Sequence, residues 1–177
     1  MRVLLTPSLL VLILGSPPAQ KIPVCPVISP NFSALTAEAV NYRDGRYVER
    51  DGQRAFNLFL RAAKQGDVDA QFSVAQMYED GDVVPQDYRQ AVTWYKKAAD
   101  HVPDYGGAGQ ARNNLGFLYA AGHGVPRDYV TAYMYFALAN NKHNMQWAAE
   151  KMSIPQVVEA QRRAKEWIQR HPESPCS

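Results

Sequence analysis

Small and hydrophobic residues recur along the middle of the chain at the three- and four-residue spacing of amphipathic helices. One such stretch runs from Ala70 to Gly81, and a second runs from Ala91 to Ala99. The segment between them, Val84-Pro85-Gln86-Asp87-Tyr88, breaks the pattern. Proline cannot continue a helix, and the side chain of Asp87 can accept hydrogen bonds from the first free amides of the next one. The pattern therefore predicts two antiparallel helices joined by a short turn.

This helical pair occurs again 41 residues later, where the turn reads Val125-Pro126-Arg127-Asp128-Tyr129. A third and more degenerate copy lies 36 residues upstream, where Pro85 is replaced by Glu49 and Tyr88 by Gly52. The 41-residue shift aligns nine identical residues, of which the first copies are Ala70, Tyr78, Gly81, Val84, Pro85, Asp87, Tyr88, Ala91 and Ala98. A single helical hairpin cannot bury its apolar face, so the copies must stack on each other. We therefore predict an all-α fold, a solenoid of three antiparallel helix hairpins followed by a C-terminal capping helix.

The repeat pattern divides the chain into segments. Residues 1–19 are expected to form a signal peptide, and residues 20–33, which contain three prolines, an extended segment. Three repeats are expected over residues 34–141, with a degenerate first repeat at 34–66 and regular repeats at 67–101 and 110–141. Residues 142–170 are expected to form an incomplete repeat and the capping helix, and 171–177 a tail.

The signal peptide is inferred from the first residues of the chain. Met1-Arg2 is a positively charged start, Val3 to Gly15 is apolar, and Ser16-Pro17-Pro18-Ala19 supplies small residues at which a signal peptidase could cut. The apolar run is shorter than the roughly 20 residues that span a bilayer. We expect a periplasmic or secreted protein with no membrane span after signal removal, the alternative being an uncleaved anchor.

Charge and composition exclude several classes of function. The formal net charge is +2, and the main basic cluster, Arg162-Arg163 with Lys165, is interleaved with Glu159 and Glu166. No basic face for nucleic acid is therefore predicted. The sequence holds no Ser-x-x-Lys, no Gly-x-Ser-x-Gly and no His-x-x-x-His, and it has only two cysteines. We expect no catalytic residues, no metal site and no cofactor.

The repeat resembles the Sel-one-like repeat (SLR) family, which is related to the tetratricopeptide repeats. Residues 62–81, followed by the turn at residues 84–88, are similar to the family signature almost letter for letter. The resemblance extends over about residues 34–141, and residues 152–161 also resemble the closing helix of bacterial members. Because members of this family mainly act as protein-binding scaffolds, the resemblance implies a non-catalytic protein whose partner is another protein.

The resemblance also implies a binding surface. In this family the first helix of each unit lines the concave face, and three variable positions recur there at one-turn spacing. They comprise Thr36 and Ala120 together with the seven candidate binding residues Val40, Arg43, Phe72, Gln76, Glu79, Asn113 and Phe117. Tyr105, in the insertion at residues 102–109, is a further candidate for contact with a partner. Two alternatives stay open: Phe72 belongs to the core, and the insertion is a tolerated surface loop.

An exported chain with two cysteines can form a disulfide bond between Cys25 and Cys176. The alternative is two free or intermolecular thiols. Short exported SLR proteins include immunity proteins that neutralise periplasm-directed toxins such as lipase effectors of type VI secretion. The resemblance therefore favours an immunity protein, with a toxic effector as its partner. An envelope-assembly adaptor, with an envelope component as its partner, is the alternative. An enzyme that hydrolyses β-lactams or acts on the cell wall is a third, without a catalytic residue in its favour.

Overall fold

A computed structural model describes residues 31–101 and 106–172, and in these two ranges the chain forms eight helices and no strand. The helices are α1 (Asn31–Asp44), α2 (Gly52–Lys64), α3 (Val68–Asp80), α4 (Tyr88–Ala99), α5 (Ala108–Ala121), α6 (Tyr129–Leu138), α7 (Lys142–Ala149) and α8 (Ile154–Arg170). The prediction of an all-α fold is confirmed.

The helices form one continuous stack of hairpins. The pairs α1/α2, α3/α4 and α5/α6 pack within a unit, while α2 packs on α3 and α4 packs on α5 to join successive units. Helix α6 then packs against both α7 and α8. Helix α1 begins at Asn31, three residues before the predicted start at Ala34. Proline restricts the residue before it rather than those after it, so the residues that follow Pro30 are free to be helical.

Aspartate caps the second helix of each hairpin, as the turn sequence predicts. Oδ1 of Asp87 accepts hydrogen bonds from the backbone N–H groups of Arg89 and Gln90 at 2.9 and 3.0 Å. Asp51 and Asp128 make the same type of cap on α2 and α6. The N–H of each capping residue also donates to the carbonyl of a tyrosine in the preceding helix, at 2.8 Å for Asp87. The backbone bond to the tyrosine carbonyl recurs in all three units, whereas Asp51 caps one N–H and Asp87 and Asp128 cap two each.

A polar side chain at one repeated position ties each unit to the preceding one. Nε2 of Gln71 on α3 donates to the carbonyl of Ala63 at 3.2 Å, and Nε of Arg112 on α5 donates to the carbonyl of Ala99 at 2.9 Å. Both carbonyls lie at the C-terminal end of a helix, where backbone acceptors lack partners inside the helix. The buried Arg112 also donates to the carbonyl of His101 at 2.7 Å. These bonds fix the distance between successive units.

Tyr95 on α4 joins three helices through its hydroxyl group. The hydroxyl donates to Oε2 of Glu79 on α3 at 2.6 Å and accepts from Nδ2 of Asn114 on α5 at 2.8 Å. The side chain is fully buried, and this burial raises the pKa of Tyr95 far above its ordinary value. The hydroxyl therefore stays protonated and remains the donor to Glu79.

Helix α8 closes the stack on one face. Its capping box forms as predicted, with the backbone N–H of Ser153 donating to Oε1 of Gln156 at 2.8 Å. Ala160 and Ala164 are buried on the face toward α6. Helical periodicity predicts that Val157, Trp167 and Ile168 share this face with the two alanines, and for Ile168 the prediction is wrong, because its side chain is 58% exposed. Trp167 does lie inward, 4.8 Å from the guanidinium of Arg112.

Gly116 allows α5 and α6 to approach closely, and its substitution provides a test of the packing. A Cβ atom at this position would overlap the ring of Phe136, which is fully buried. We expect Gly116→Ala to lower the free energy of unfolding by about 1–3 kcal/mol. Without this overlap, replacing glycine by alanine would stabilise the helix by about 1 kcal/mol. Chemical denaturation measures the change, and the double variant Gly116→Ala/Phe136→Leu should recover most of the loss. A net gain in stability for the single variant contradicts this packing.

The Tyr95 network is tested by removing one oxygen atom. Tyr95→Phe keeps the ring and leaves Glu79 and Asn114 without their shared partner, so we expect a loss of about 1–2 kcal/mol in the free energy of unfolding. Tyr88→Phe is the matched control, because its half-buried hydroxyl only accepts a hydrogen bond from Gln86, at 3.1 Å. The control should change stability by less than about 0.5 kcal/mol. Equal losses in the two variants would show that the network does not link the helices.

Candidate protein-binding groove

Val40 and Phe72, two of the predicted binding residues, belong to the hydrophobic core instead. Both are half-buried and pack against the large core cluster. The ring of Phe72 lies 5.7 Å from that of Tyr95, and the backbone of Gly107 lies so close to Phe72 that a Cβ atom there would overlap it. The C-terminal end of the insertion therefore covers Phe72, which confirms the alternative in which this residue is part of the core.

Arg43 and Glu79 are engaged in contacts within the chain. Nε of Arg43 donates to Oδ1 of Asp44 at 2.7 Å, and the resulting ion pair lowers the pKa of Asp44. Oε2 of Glu79 accepts the hydroxyl of Tyr95 in the network described above. Thr36 likewise donates to Oδ2 of Asp67 at 2.6 Å. These groups would have to give up an internal partner to bind another protein.

Asn113 connects α5 to the beginning of α7. Its Oδ1 accepts from Nδ2 of Asn141 at 2.9 Å and from Nδ2 of Asn144 at 3.1 Å. These two hydrogen bonds connect the helices at this level. Asn113 is predicted to contact a partner, but it instead binds the start of α7. Its position in the repeat gave no indication of this role.

Gln76 and Phe117 are the two predicted residues that stay available. They occupy the same position in α3 and α5, since the 41-residue shift relates them. The side chain of Gln76 is partly exposed and has no hydrogen-bond partner among the described residues. Phe117 is 45% exposed although it is a large apolar residue. Of the predicted stripe, these two side chains are accessible and form no hydrogen bond within the described residues.

Phe117 on α5 and Trp147 on α7 both pack on Phe136 of α6, and each leaves part of its ring exposed. The ring centroid of the fully buried Phe136 lies 5.1 Å from that of Phe117 and 6.4 Å from that of Trp147. Phe117 is one helical turn beyond Asn113, and Trp147 is about one turn beyond Asn144, to which Asn113 is hydrogen-bonded. The two exposed rings therefore pack on the same buried residue, Phe136. We call Phe117, Phe136 and Trp147, with the amides of Asn113 and Asn144, the aromatic groove.

Helical periodicity over residues 145–152 predicts that Trp147, Ala148 and Met152 point inward, and for Trp147 the structure corrects this prediction. The side chain is 37% exposed, and Ala148 is the residue of α7 that is fully buried. An alanine permits close contact with α6, and the bulky neighbour is left at the edge, where its ring lies 6.1 Å from that of Tyr129. The only sequence signal that Trp147 is exposed was its place among polar residues in a short helix.

A depression next to the aromatic groove has four amide side chains among its lining residues, although most of its accessible lining is apolar. Its volume is about 380 Å³, and its lining residues are Gly109, Gln110, Asn113, Asn114, Ala139 and Asn141. Amides both donate and accept hydrogen bonds, so such a surface matches the backbone of a bound peptide segment. The exposed rings offer contact to an apolar side chain of the same segment. Together the two surfaces suit a protein ligand better than a charged small molecule.

Metal and membrane functions find no support in the described ranges. No group of three or more His, Cys, Asp or Glu side chains there could hold a metal ion. None of the helices in residues 31–101 and 106–172 has both the length and the apolar character needed to cross a bilayer. Tyr105, Cys25, Cys176 and the expected signal peptide at residues 1–19 lie outside the described residues, so the predictions for them stay predictions.

Two solved structures are similar to this one. The first is c5321, described as a protective antigen of uropathogenic Escherichia coli strains with an SLR fold; its TM-score is 0.69 at 28% identity, over 79% of this chain and 30% of that one. The second is a Sel1 repeat protein from Oxalobacter formigenes, with a TM-score of 0.56 at 23% identity, over 83% of this chain and 71% of that one. The second likeness shows the fold alone.

Sequence comparison gives the same result. An uncharacterised Sel1-like repeat-containing protein of Schizosaccharomyces pombe is 29% identical over 105 residues, which is 59% of this chain and 15% of that protein. The chain thus spans only a small part of this relative and of c5321. The model of the Sel1 repeat matches residues 36–67, 68–101 and 109–144, more than half of the chain. The chain therefore belongs to the Sel1 repeat family, a family of protein-interaction modules.

Proposed function

We propose that this chain is a non-catalytic interaction module of the bacterial periplasm and that its aromatic groove binds a segment of another protein. The observation that carries the proposal is the pair of exposed rings, Phe117 at 45% and Trp147 at 37%, around the buried Phe136. Aromatic residues in a recess contribute much of the binding energy in protein interfaces. The membership in a family of interaction modules supports the same function.

The groove defines what the partner segment must present. An apolar side chain of the partner would contact the exposed parts of the Phe117 and Trp147 rings, which pack on the buried Phe136. The exposed amide of Gln110 would then bind the backbone on one side of this anchor. No charged side chain lines the depression, so the partner segment needs no charge at these positions.

The role that we favour is that of an immunity protein which neutralises a periplasm-directed effector of the lipase type. The charged start and apolar run of residues 1–19 support export, and the sequence has no catalytic motif. An immunity protein acts by occupying a surface of its toxin, for which a binding groove is sufficient. An envelope-assembly adaptor would use the same groove, so the nature of the partner distinguishes the two roles. An enzyme acting on β-lactams or the cell wall is the least supported alternative.

The groove is tested by capture of its partner from an envelope extract. The exported form of the chain, immobilised, should retain a defined protein, and the double variant Phe117→Ala/Trp147→Ala should retain at least about tenfold less of it. The matched control is Tyr47→Ala, which removes an aromatic side chain that is 97% exposed and lies in the first unit, between α1 and α2. Unchanged capture by the double variant would rule out the aromatic groove as the site.

The captured protein then decides between the two roles. A lipase whose activity falls to the baseline at equimolar amounts of the chain would support the immunity role. A structural component of the envelope without hydrolytic activity would support the adaptor. Turnover of the chromogenic β-lactam nitrocefin by the extensively purified chain would contradict a purely binding function.

Export is tested separately. Residues 1–25 fused to a reporter that is active only outside the cytoplasm should produce signal, because a positive start followed by an apolar run engages the secretion machinery. The control fusion carries Val11→Asp and Ile13→Asp in the apolar run and should be silent. A silent wild-type fusion would contradict the periplasmic location.

A further inference from the structure

The outer face of α8 exposes three large apolar residues. Ile154 is 82% exposed, Val158 is 59% exposed and Ile168 is 58% exposed. They account for three of the seven large apolar side chains that are exposed in the described residues. No helix in residues 31–101 and 106–172 covers this face, since α8 packs against α6 through the adjoining, alanine-bearing side.

Comparison with the earlier helices shows that this face occupies a stacking position. The fifth and eighth residues of each earlier second helix are buried, and these pairs are Phe56/Phe59 in α2, Val92/Tyr95 in α4 and Tyr133/Phe136 in α6. The corresponding residues of α8, counted from its first residue Ile154, are Val158 and Gln161. Val158 thus keeps an apolar side chain where earlier units receive a neighbouring helix.

The opposite end of the described stack differs. Glu38 on α1 occupies the position of the fully buried Val74 and Leu115, and its Oε1 lies 3.9 Å from a guanidinium nitrogen of Arg54. A second copy that stacked head to tail would place Ile154 and Val158 on this ion pair. Removing these charges from water without new partners is unfavourable. Head-to-tail stacking of copies is therefore disfavoured, whereas a contact of α8 with itself is not.

The exposed face of α8 is self-complementary. Five residues of this face follow one another at intervals of four, three, four and three residues, the spacing of a coiled-coil seam. They are Ile154, Val158, Gln161, Lys165 and Ile168. In an antiparallel pair centred on Gln161, Ile154 of one copy faces Ile168 of the other. A twofold interface requires this kind of reciprocal contact. We propose that the chain forms a homodimer through antiparallel pairing of its two α8 helices.

The charges of α8 are compatible with this pairing. Lys165 falls opposite Val157 and Val158 of the second copy, so its aliphatic stem can cover them while its ammonium group stays in water. Glu159, Arg163 and Glu166 lie on the far side of the helix, and Arg162 lies on its flank. The hydrogen bonds from Arg162 and Arg163, at 2.8 Å each, lower the pKa of Glu159 to about 2. The two copies of Arg162 lie near the axis, where the ion pairs of each with Glu159 and Glu166 offset its charge.

The oligomeric state of the full chain provides the first test. Light scattering after size exclusion should give twice the monomer mass at high concentration and the monomer mass on dilution. Ile154→Lys/Ile168→Lys should give the monomer mass throughout, with an unchanged circular dichroism spectrum. Arg170→Glu alters charge on the far side of the same helix and is the control that should remain dimeric. Monomeric wild-type protein at all concentrations would overturn the proposal and would leave the face to a different partner.

Cross-linking tests the register. In a background with Cys25→Ser and Cys176→Ser, oxidation of Gln161→Cys should give a covalent dimer, because the two residues meet at the axis. Arg170→Cys, on the far side of α8, should stay uncoupled under the same conditions. A dimer in which Gln161→Cys fails to cross-link, or in which both variants cross-link equally, would overturn the antiparallel pairing. Neither test depends on the aromatic groove, so a result that contradicts the dimer would not contradict the proposed function.

Discussion

The closeness with which helices can pack governs the rest of this structure. One position in the first helix of each unit is occupied by Ala39, Ala75 and Gly116 in turn, and the two alanines are fully buried. The smallest residue occurs in the third unit, where the ring of Phe136 occupies the space that a Cβ atom would need. Because Phe136 lies so close to α5, its ring can contact Phe117 and Trp147 together. The aromatic groove therefore depends on a glycine that does not line it.

The same stacking determines which polar groups remain free. A side chain on the first helix of a unit lies close to neighbouring helices, and a partly buried polar group is unfavourable without a partner. Glu79 and Asn113 accordingly form hydrogen bonds inside the chain rather than remaining open to a ligand. The side chains of the predicted stripe that stay accessible, Gln76 and Phe117, are uncharged. This explains why the groove presents rings and amides, and why it suits a protein segment with an apolar anchor.

The two ends of the described stack differ in the polarity of their outer surfaces. On α1, Glu38 replaces the apolar residue of later units, and its ion pair with Arg54 makes this end hydrophilic. On α8, Gln161 and Lys165 are hydrophilic, while Ile154 and Val158 keep the apolar character of an internal helix. A repeat array needs polar outer faces to remain soluble on its own. The asymmetry is the physical reason for expecting a further contact at α8.

The sequence by itself determined the repeat, the helices and their caps, because these depend on local spacing and on turn residues such as Asp87 and Gly81. It also indicated Phe117 as an accessible aromatic residue of α5. Tertiary structure alone decided that Phe72 is covered by Gly107, that Glu79 and Asn113 are engaged, and that Trp147 lies outward. Each of these outcomes depends on which atoms of a distant segment reach the side chain, and periodicity along one helix carries no information about that distance.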